Sequence, residues 1–435
     1  MSLNRKAMVL AVGAALAAPG AYAQVTSPAG TNWEFYGKFY PELTHAHGDG
    51  ATAPGTTGLA TFVGALGTAP AGTGSNPPNA VIPRWEMQIS NSYLGFRGSR
   101  DIGGGSKAIW QLEQTVNIDE GNQTASFASR DSFAGVANNN WGTIRLGNMD
   151  TPFKRYGNVV GFLGVNSGNI VTPSNVKDKA GFGTSSSSSF NLRRANAIDL
   201  ASPTILGGLQ TAAQYSIGNP TEASTAASPT GITLSPKRFP RVASWAVKWE
   251  QGPFYAGFMQ ETHFDLFGGS LNALAGLSNS ADPSVNSKDT ANQVVVVYKM
   301  GIHSFEADFT RKKYGEYNVT PTAGGKFQEY KNISYMLLME NRWSGAWRTA
   351  FSYVKAGAGS CKQAILLTAD CSTAGLEGTQ ISAGVAYYLD PSAYLFGLLA
   401  RVTNGSSAQY NNTALQKANP GEDIKNIAVG FAYTF

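Results

Sequence analysis

The chain has 435 residues, with 33 basic and 28 acidic side chains, 50 glycines, 48 aromatic residues and two cysteines. This balance is too mild for a nucleic-acid binder, and no segment approaches eighteen consecutive apolar residues, which excludes helical membrane spans. A mean hydropathy close to neutral fits a secreted β protein, or a barrel that averages an apolar outside with a polar inside.

Arg5 and Lys6 precede the apolar run from Ala7 to Ala18, and Ala21-Tyr22-Ala23 supplies the small residues a signal peptidase inspects. Residues 1–23 therefore read as a signal peptide cleaved before Gln24, leaving residues 24–435 as one exported β domain with 31 basic and 28 acidic side chains. For such a chain the remaining way to span a membrane is a closed barrel, whose backbone groups all pair with neighbouring strands.

Trp33 to Tyr40 begins the first strand, and residues 44–83, rich in Gly, Ala, Thr and Pro, read as a long external loop. His45, His47 and Asp49 on that stretch offer metal-ligating groups, but two histidines on a loop are more simply solvated, and no metal is assigned. Next come Ser92-Tyr93-Leu94-Gly95-Phe96-Arg97-Gly98, the turn Asp101-Ile102-Gly103-Gly104-Gly105, and Lys107-Ala108-Ile109-Trp110-Gln111-Leu112-Glu113. This reads as a strand, a tight glycine turn and a returning strand. Ala108, Trp110 and Leu112 face one way, Lys107, Gln111 and Glu113 the other. No helix with Lys and Ser/Thr at the right offset follows the glycines, so a phosphate loop is a poor reading. Arg130 to Val136, a turn to Trp141, and Gly142-Thr143-Ile144-Arg145-Leu146-Gly147-Asn148 repeat the pattern before Thr151-Pro152. There Ile144 and Leu146 face lipid or a neighbouring subunit, and Thr143, Arg145 and Gly147 the interior.

These blocks, with Arg193-Arg194-Ala195-Asn196-Ala197-Ile198 and Ser202-Pro203, resemble the motif series of Gram-negative trimeric porins, most specifically over residues 90–203. Leu200 stands where that family usually has tyrosine, and Tyr93 where many relatives carry arginine. The resemblance implies that the third loop, residues 152–192, folds back into the barrel and narrows it. It implies a homotrimer joined through the first strands, set in outer-membrane lipid and lipopolysaccharide. The expected solutes are ions and small hydrophilic molecules.

Downstream, Leu209–Ile217, Val242–Glu250, Phe254–Thr262, Asn292–Lys299, His303–Lys312, Ile333–Met339, Trp347–Lys355, Gln380–Tyr388, Tyr394–Thr403 and Ile424–Phe435 read as strands, with short and long connections alternating. Val294 to Val297 breaks strict alternation, as packing on both faces beneath a folded loop would require. The final stretch alternates Ile427, Val429, Phe431, Tyr433 and Phe435 with small residues, and Phe431, Tyr433 and Phe435 resemble the terminal signature recognised by the outer-membrane barrel assembly machinery. The fold expected is all-β: a sixteen-stranded antiparallel transmembrane barrel with short periplasmic turns and long outer loops, wide enough to enclose an aqueous channel.

A passive channel needs a width and a field, with no nucleophile or cofactor. From the family pattern, Arg97, Arg130, Arg145 and Arg194, with Glu113, should line the wall. General porins commonly set acidic residues on the third loop opposite such arginines. Here that loop carries Lys154, Arg155, Lys177 and Lys179 with a single acid, Asp178. A constriction basic on both sides would favour anions. If instead these lysines lie solvated or paired at the loop ends, they set nothing. Cys361 and Cys371 share one turn-rich stretch and favour a local disulfide over free thiols or a metal pair. A substrate-specific channel for small organic acids, and loops serving adhesion or phage attachment, remain alternatives. A barrel enzyme would need a polar constellation near the outer rim, for which His263 and His303 are the histidine candidates, without a surrounding catalytic motif.

Overall fold

The computed structural model describes residues 25–26, 31–52, 79–89, 91–117, 127–163, 170–181, 189–218, 240–266, 286–317, 329–343, 345–362, 373–413 and 416–435. Among these, sixteen wall strands form one antiparallel sheet that closes on itself. Strand β1 consists of Thr31–Phe39 and Glu42–Asp49, and β2 of Arg84–Gln88 and Tyr93–Gly103. They are followed by β3 (Ser106–Thr115), β4 (Ser132–Asn138), β5 (Gly142–Asp150), the helix α1 (Pro152–Tyr156), β6 (Arg193–Ala201), β7 (Leu209–Ser216) and β8 (Arg241–Gln251). The second half comprises β9 (Phe254–Phe264), β10 (Asn286–Met300), β11 (His303–Tyr317), β12 (Glu329–Arg342), β13 (Trp347–Ala356), β14 (Gly378–Asp390), β15 (Ala393–Asn404) and β16 (Asp423–Thr434). Two short pieces, Val25–Thr26 and Ser360–Lys362, add to the edges of β1 and β12.

The wall closes where β16 pairs with β1, from Glu42 opposite Gly430 to Asp49 opposite Asp423. Below this, Phe435 and Gly37 exchange both backbone hydrogen bonds, at 3.0 and 3.1 Å. A Cβ at Gly37 would lie 2.7 Å from the Phe435 ring, so the close approach needs glycine. β1 kinks at Pro41, which has no N–H for the ladder. The break is covered locally: Tyr40 N–H donates to Ser92 Oγ at 2.8 Å, and the Pro41 carbonyl accepts from Phe431 N–H at 3.1 Å.

At one end the connections are tight. The β2–β3 turn uses Gly103, Gly104 and Gly105 at φ of 86°, 60° and 72°, a left-handed run that other residues rarely adopt. At the other end they are long. The two faces of each strand separate in the period-two manner: Val294 and Val296 stand exposed on the outside, while Val295 and Val297 are fully buried inside. The four-valine run is thus apolar on both faces because an inward loop covers the inner one.

Two expectations change. Residues 44–83 are not all loop, since β1 runs on to Asp49 and β2 begins at Arg84. There His45 and His47 sit on a strand, with His45 against Trp85 at 5.1 Å between ring centroids. Polar residues conceal these ends because the barrel wall rises past the apolar band, where both faces meet water or headgroups. For the same reason β10, β11 and β12 extend beyond their apolar alternation.

Candidate pore constriction

Loop 3, between β5 and β6, is fastened to the inner wall strand by strand. Thr151 caps α1 by accepting from Lys154 N–H, and Pro152 occupies the first turn, where its missing donor costs nothing. Phe153 N–H donates to Ser244 Oγ of β8 at 3.1 Å, and Tyr255 Oη of β9 donates to the Tyr156 carbonyl at 2.6 Å. Gln293 of β10 donates to the Gly157 carbonyl at 2.8 Å. The Glu306 carboxylate of β11 accepts from Val159 and Val160 N–H at 3.2 and 2.5 Å, and Glu340 of β12 from Phe162 N–H at 3.2 Å. Further along, Gln380 of β14 donates to the Val171 carbonyl at 3.0 Å. Phe153, Phe162, Val171, Val176 and Phe190 are buried between loop and wall, each contributing about 1.5–3 kcal/mol of apolar burial. The loop therefore lines β8–β14 and leaves the lumen open toward β1–β6.

That facing wall carries a series of guanidiniums, each over an aromatic ring. Arg97 lies 4.8 Å from the Tyr36 centroid, Arg130 4.8 Å from Tyr93 and Arg145 5.2 Å from Phe133. From the loop, Arg155 lies 5.4 Å from Tyr156. Such stacking holds a guanidinium plane while leaving its edge to solvent. Carboxylates lie behind them. Glu113 accepts from Arg130 Nε at 2.5 Å and from Tyr36 Oη at 3.0 Å. Asp199 of β6 binds Arg145 at 2.6 Å and Arg155 at 2.8 Å. The two arginine side chains keep 18% and 22% of their exposure, and Asp199 none. Arg97 pairs with Glu34 and is likewise the more exposed partner. The order reverses at Lys154–Asp150 (2.9 Å) and Arg193–Asp131 (2.6 Å), where the acid is the more exposed.

The wall and the start of the loop thus bring together Arg97, Glu113, Arg130, Arg145, Lys154 and Arg155. Lys177 is a correction: its side chain has no exposure and pairs with Asp308 of β11 at 2.9 Å and with Asp178 at 3.5 Å, beneath the loop. Asp178 is buried with it, so the loop's single acid is withdrawn from the lumen. Arg194 is also buried rather than lining an open surface. Lys179 keeps part of its surface, and burial holds its ammonium below the ordinary lysine value despite Asp178. Sequence reasoning missed Asp199, although the period-two pattern of β6 places it on the same face as Ala197 and opposite Arg145. It also missed Arg193, Asp131 and Asp150, which lie where a register shift between Gly147 and Met149 interrupts the alternation.

The histidines do not converge. His263 is buried under Phe190, at 4.5 Å between centroids, and bonds Glu261 at 2.9 Å; His303 bonds Asn341 at 2.5 Å beside a tight turn at the other end of the wall. Among the described residues no group of three or more metal-ligating side chains is found. Cys361 is disulfide-bonded, while Cys371 lies outside the described residues, as do residues 1–23.

An even-stranded closed barrel, apolar outside and narrowed by an inward loop among charged side chains, is a membrane-spanning channel barrel. The chain belongs to the Gram-negative porin family, whose profile matches residues 7–407, and it is accordingly an outer-membrane protein. Relatives include the major outer membrane protein P.IA of Neisseria meningitidis serogroup C, 41% identical over 70 residues, which are 16% of this chain and 18% of that one. Protein P.IB of Neisseria gonorrhoeae is 39% identical over 72 residues, or 17% of this chain and 20% of its own. The match thus spans about a fifth of these relatives' length. Among solved structures, the anion-selective porin from Comamonas acidovorans shares the fold with a TM-score of 0.66 at 17% identity, covering 93% of this chain and all of that one. The outer membrane protein OmpT of Vibrio cholerae does so at 0.59 and 12%, covering 95% and 100%.

Proposed function

We propose that the barrel is a passive, water-filled channel for ions and small hydrophilic solutes, with a preference for anions. The observation that carries this reading is the cluster at Asp199. Two guanidiniums, one from the wall and one from the loop, share a single carboxylate that lies behind both. A solute passing the cluster meets net positive charge in a narrowed space, where local potentials weigh most. The Comamonas acidovorans porin is itself anion-selective, and the Asp199 cluster supports the same preference in this chain. The test is the reversal potential of the refolded protein in a planar bilayer across a potassium chloride gradient. A chloride-directed potential is expected, and Arg145→Gln with Arg155→Gln should move it toward zero. A potassium-directed potential in the unmodified protein would overturn the preference, and an absence of conductance would overturn the channel.

The arginines laid over rings also suit planar carboxylates. A channel specific for small organic acids is therefore the alternative, and concentration-dependent block of chloride current by acetate or succinate would favour it. Outward-facing Phe35, Phe96, Leu112, Ile144 and Leu146 on β1–β5 are exposed in the single chain, which supports a homotrimer joined there. Mass photometry in detergent reads the subunit number, and a monomer would remove that assignment. Membrane lipid and lipopolysaccharide would surround the remaining wall. Phe431, Tyr433 and Phe435 would address the barrel assembly machinery. A Cys361–Cys371 bridge would close the loop after β13, and peptide mapping without reductant reads it directly.

A further inference from the structure

Beneath loop 3, toward the tight turns, the lumen face of β12–β15 carries a second charge cluster built like the one at Asp199. Glu340 of β12 is buried and accepts from Arg342 Nε at 3.1 Å and from Arg348 Nη2 of β13 at 2.5 Å. The two arginines stand directly opposite each other in the ladder. Glu340 also holds the loop at Phe162 N–H, and the Phe162 ring lies 5.2 Å from the Arg348 guanidinium. One carboxylate thus serves two guanidiniums, and Arg342 keeps 72% of its side-chain exposure against 3% for Glu340. The cluster presents net positive charge to the lumen.

Aromatic rings continue from it around the wall. Arg348 Nη1 donates to Tyr388 Oη of β14 at 2.9 Å. Tyr388 is directly opposite Tyr394 of β15, with 4.8 Å between ring centroids and 31° between planes. Tyr394 lies 6.1 Å from Phe396, which stacks at 4.4 Å on Tyr40 at the kink of β1. A small residue on β16 permits that stack, since a Cβ at Gly430 would lie 2.2 Å from the Phe396 ring. Phe396 and Tyr40 are buried, whereas Tyr388 and Tyr394 keep part of their surface. The buried pair is a base, and the two tyrosines are the accessible rings. Across the lumen, Tyr36, Tyr93 and Phe133 each lie under a guanidinium. Tyr388 and Tyr394 lie beside theirs, which leaves ring surface for a solute. A ligand that fits both parts is planar and apolar at the tyrosines and anionic at the arginines.

We propose that this is a binding site for aromatic carboxylates on the tight-turn side of the constriction, with the carboxylate on Arg342 and Arg348 and the ring against Tyr388 and Tyr394. The proposal rests on the passive-channel reading and names a solute class that such a channel would retain in transit. Charge alone would hold any small anion at the arginines. The adjoining rings are what select among them.

Block of chloride current through the refolded protein in a planar bilayer tests this with benzoate, acetate and benzamide. Benzoate should block at a concentration roughly fivefold to tenfold lower than acetate, the effect of one ring stacked on aromatic side chains. Benzamide, which has the ring without the charge, should not block at those concentrations. Tyr388→Leu with Tyr394→Leu should bring benzoate to the concentration at which acetate blocks. Arg342→Gln, a change at an exposed side chain, should weaken the benzoate block severalfold. Equal block by benzoate and acetate, or a benzoate advantage that survives the tyrosine replacements, would overturn the proposal. So would a block untouched by Arg342→Gln but abolished by Arg145→Gln with Arg155→Gln, since the acid would then sit at Asp199. Saturation-transfer NMR of benzoate with the folded, detergent-solubilised protein reads the site without a current. Transfer to the ring protons should be stronger in the unmodified protein than in Arg342→Gln, and equal transfer would overturn the site. A barrel that shows this difference yet does not conduct indicts the channel reading alone.

Discussion

Asp199 and Lys177 are each one charge among several, yet their removal should act on different properties. Asp199 is buried behind Arg145 and Arg155, so Asp199→Asn leaves two guanidiniums facing the lumen without their counter-charge. The reversal potential should shift further toward chloride while conductance persists. An unchanged potential would mean the cluster does not sense permeating ions. Lys177 is buried and holds Asp308 and Asp178. Lys177→Met removes one partner of a buried pair and should destabilise the folded barrel by about 3–5 kcal/mol, read as a lower denaturant midpoint. Burial pulls its ammonium down, but Asp178 and Asp308 more than offset that and hold it above the usual 10.5. Its contribution to stability is therefore complete below the unfolded lysine value and is lost as pH climbs through the higher folded one. A denaturation midpoint that stays flat to about pH 10 and falls beyond it in the unmodified protein, but not in Lys177→Met, is the expected pattern.

Loop 3 depends on the strands opposite it more than on its own secondary structure. Its helix α1 has five residues, too few to be stable alone, and its placement comes from carboxylates and amides on β8–β14. Glu306 is the strongest single fastening, because one carboxylate takes two consecutive backbone N–H groups. Glu306→Gln reduces this to neutral hydrogen bonds, worth about half as much. Open-channel current noise should then rise with little change in mean conductance, and noise identical to the unmodified channel would show the loop held elsewhere. The element could be named from the family pattern, but its inward position could not be read from composition. One local trace existed: the unbroken Val294–Val297 run signals an inner face covered by something other than water.

For the whole molecule, closure is the decisive event, since an open sheet of this size would leave two unpaired edges in lipid. The seam joins residues near opposite ends of the described chain. Phe435 packs against Phe35 at 5.5 Å and Phe39 at 5.7 Å, besides its paired bonds to Gly37. Phe435→Ala should lower the yield of heat-modifiable, folded barrel on refolding into detergent. A yield equal to the unmodified protein would show that the seam closes without the terminal ring.

Alternation along each strand is a local property. A side chain and its second neighbour share a face whatever the rest of the chain does, so the strand count and the alternation of short and long connections were legible from the residues and their family pattern, and so was the placing of Arg97 and Arg145 on the face opposite Phe96 and Leu146. Strand ends were less so, because beyond the apolar band nothing distinguishes the two faces. Charge pairing was decided only by the closed barrel. Lys177 reads as a free loop cation, yet meets Asp308 on the inner face of the wall beneath the loop; Arg155 meets Asp199, 44 positions further along the chain. A sequence supplies the charges along a line, but which of them remain uncompensated in the pore depends on which distant strands the closed sheet sets side by side.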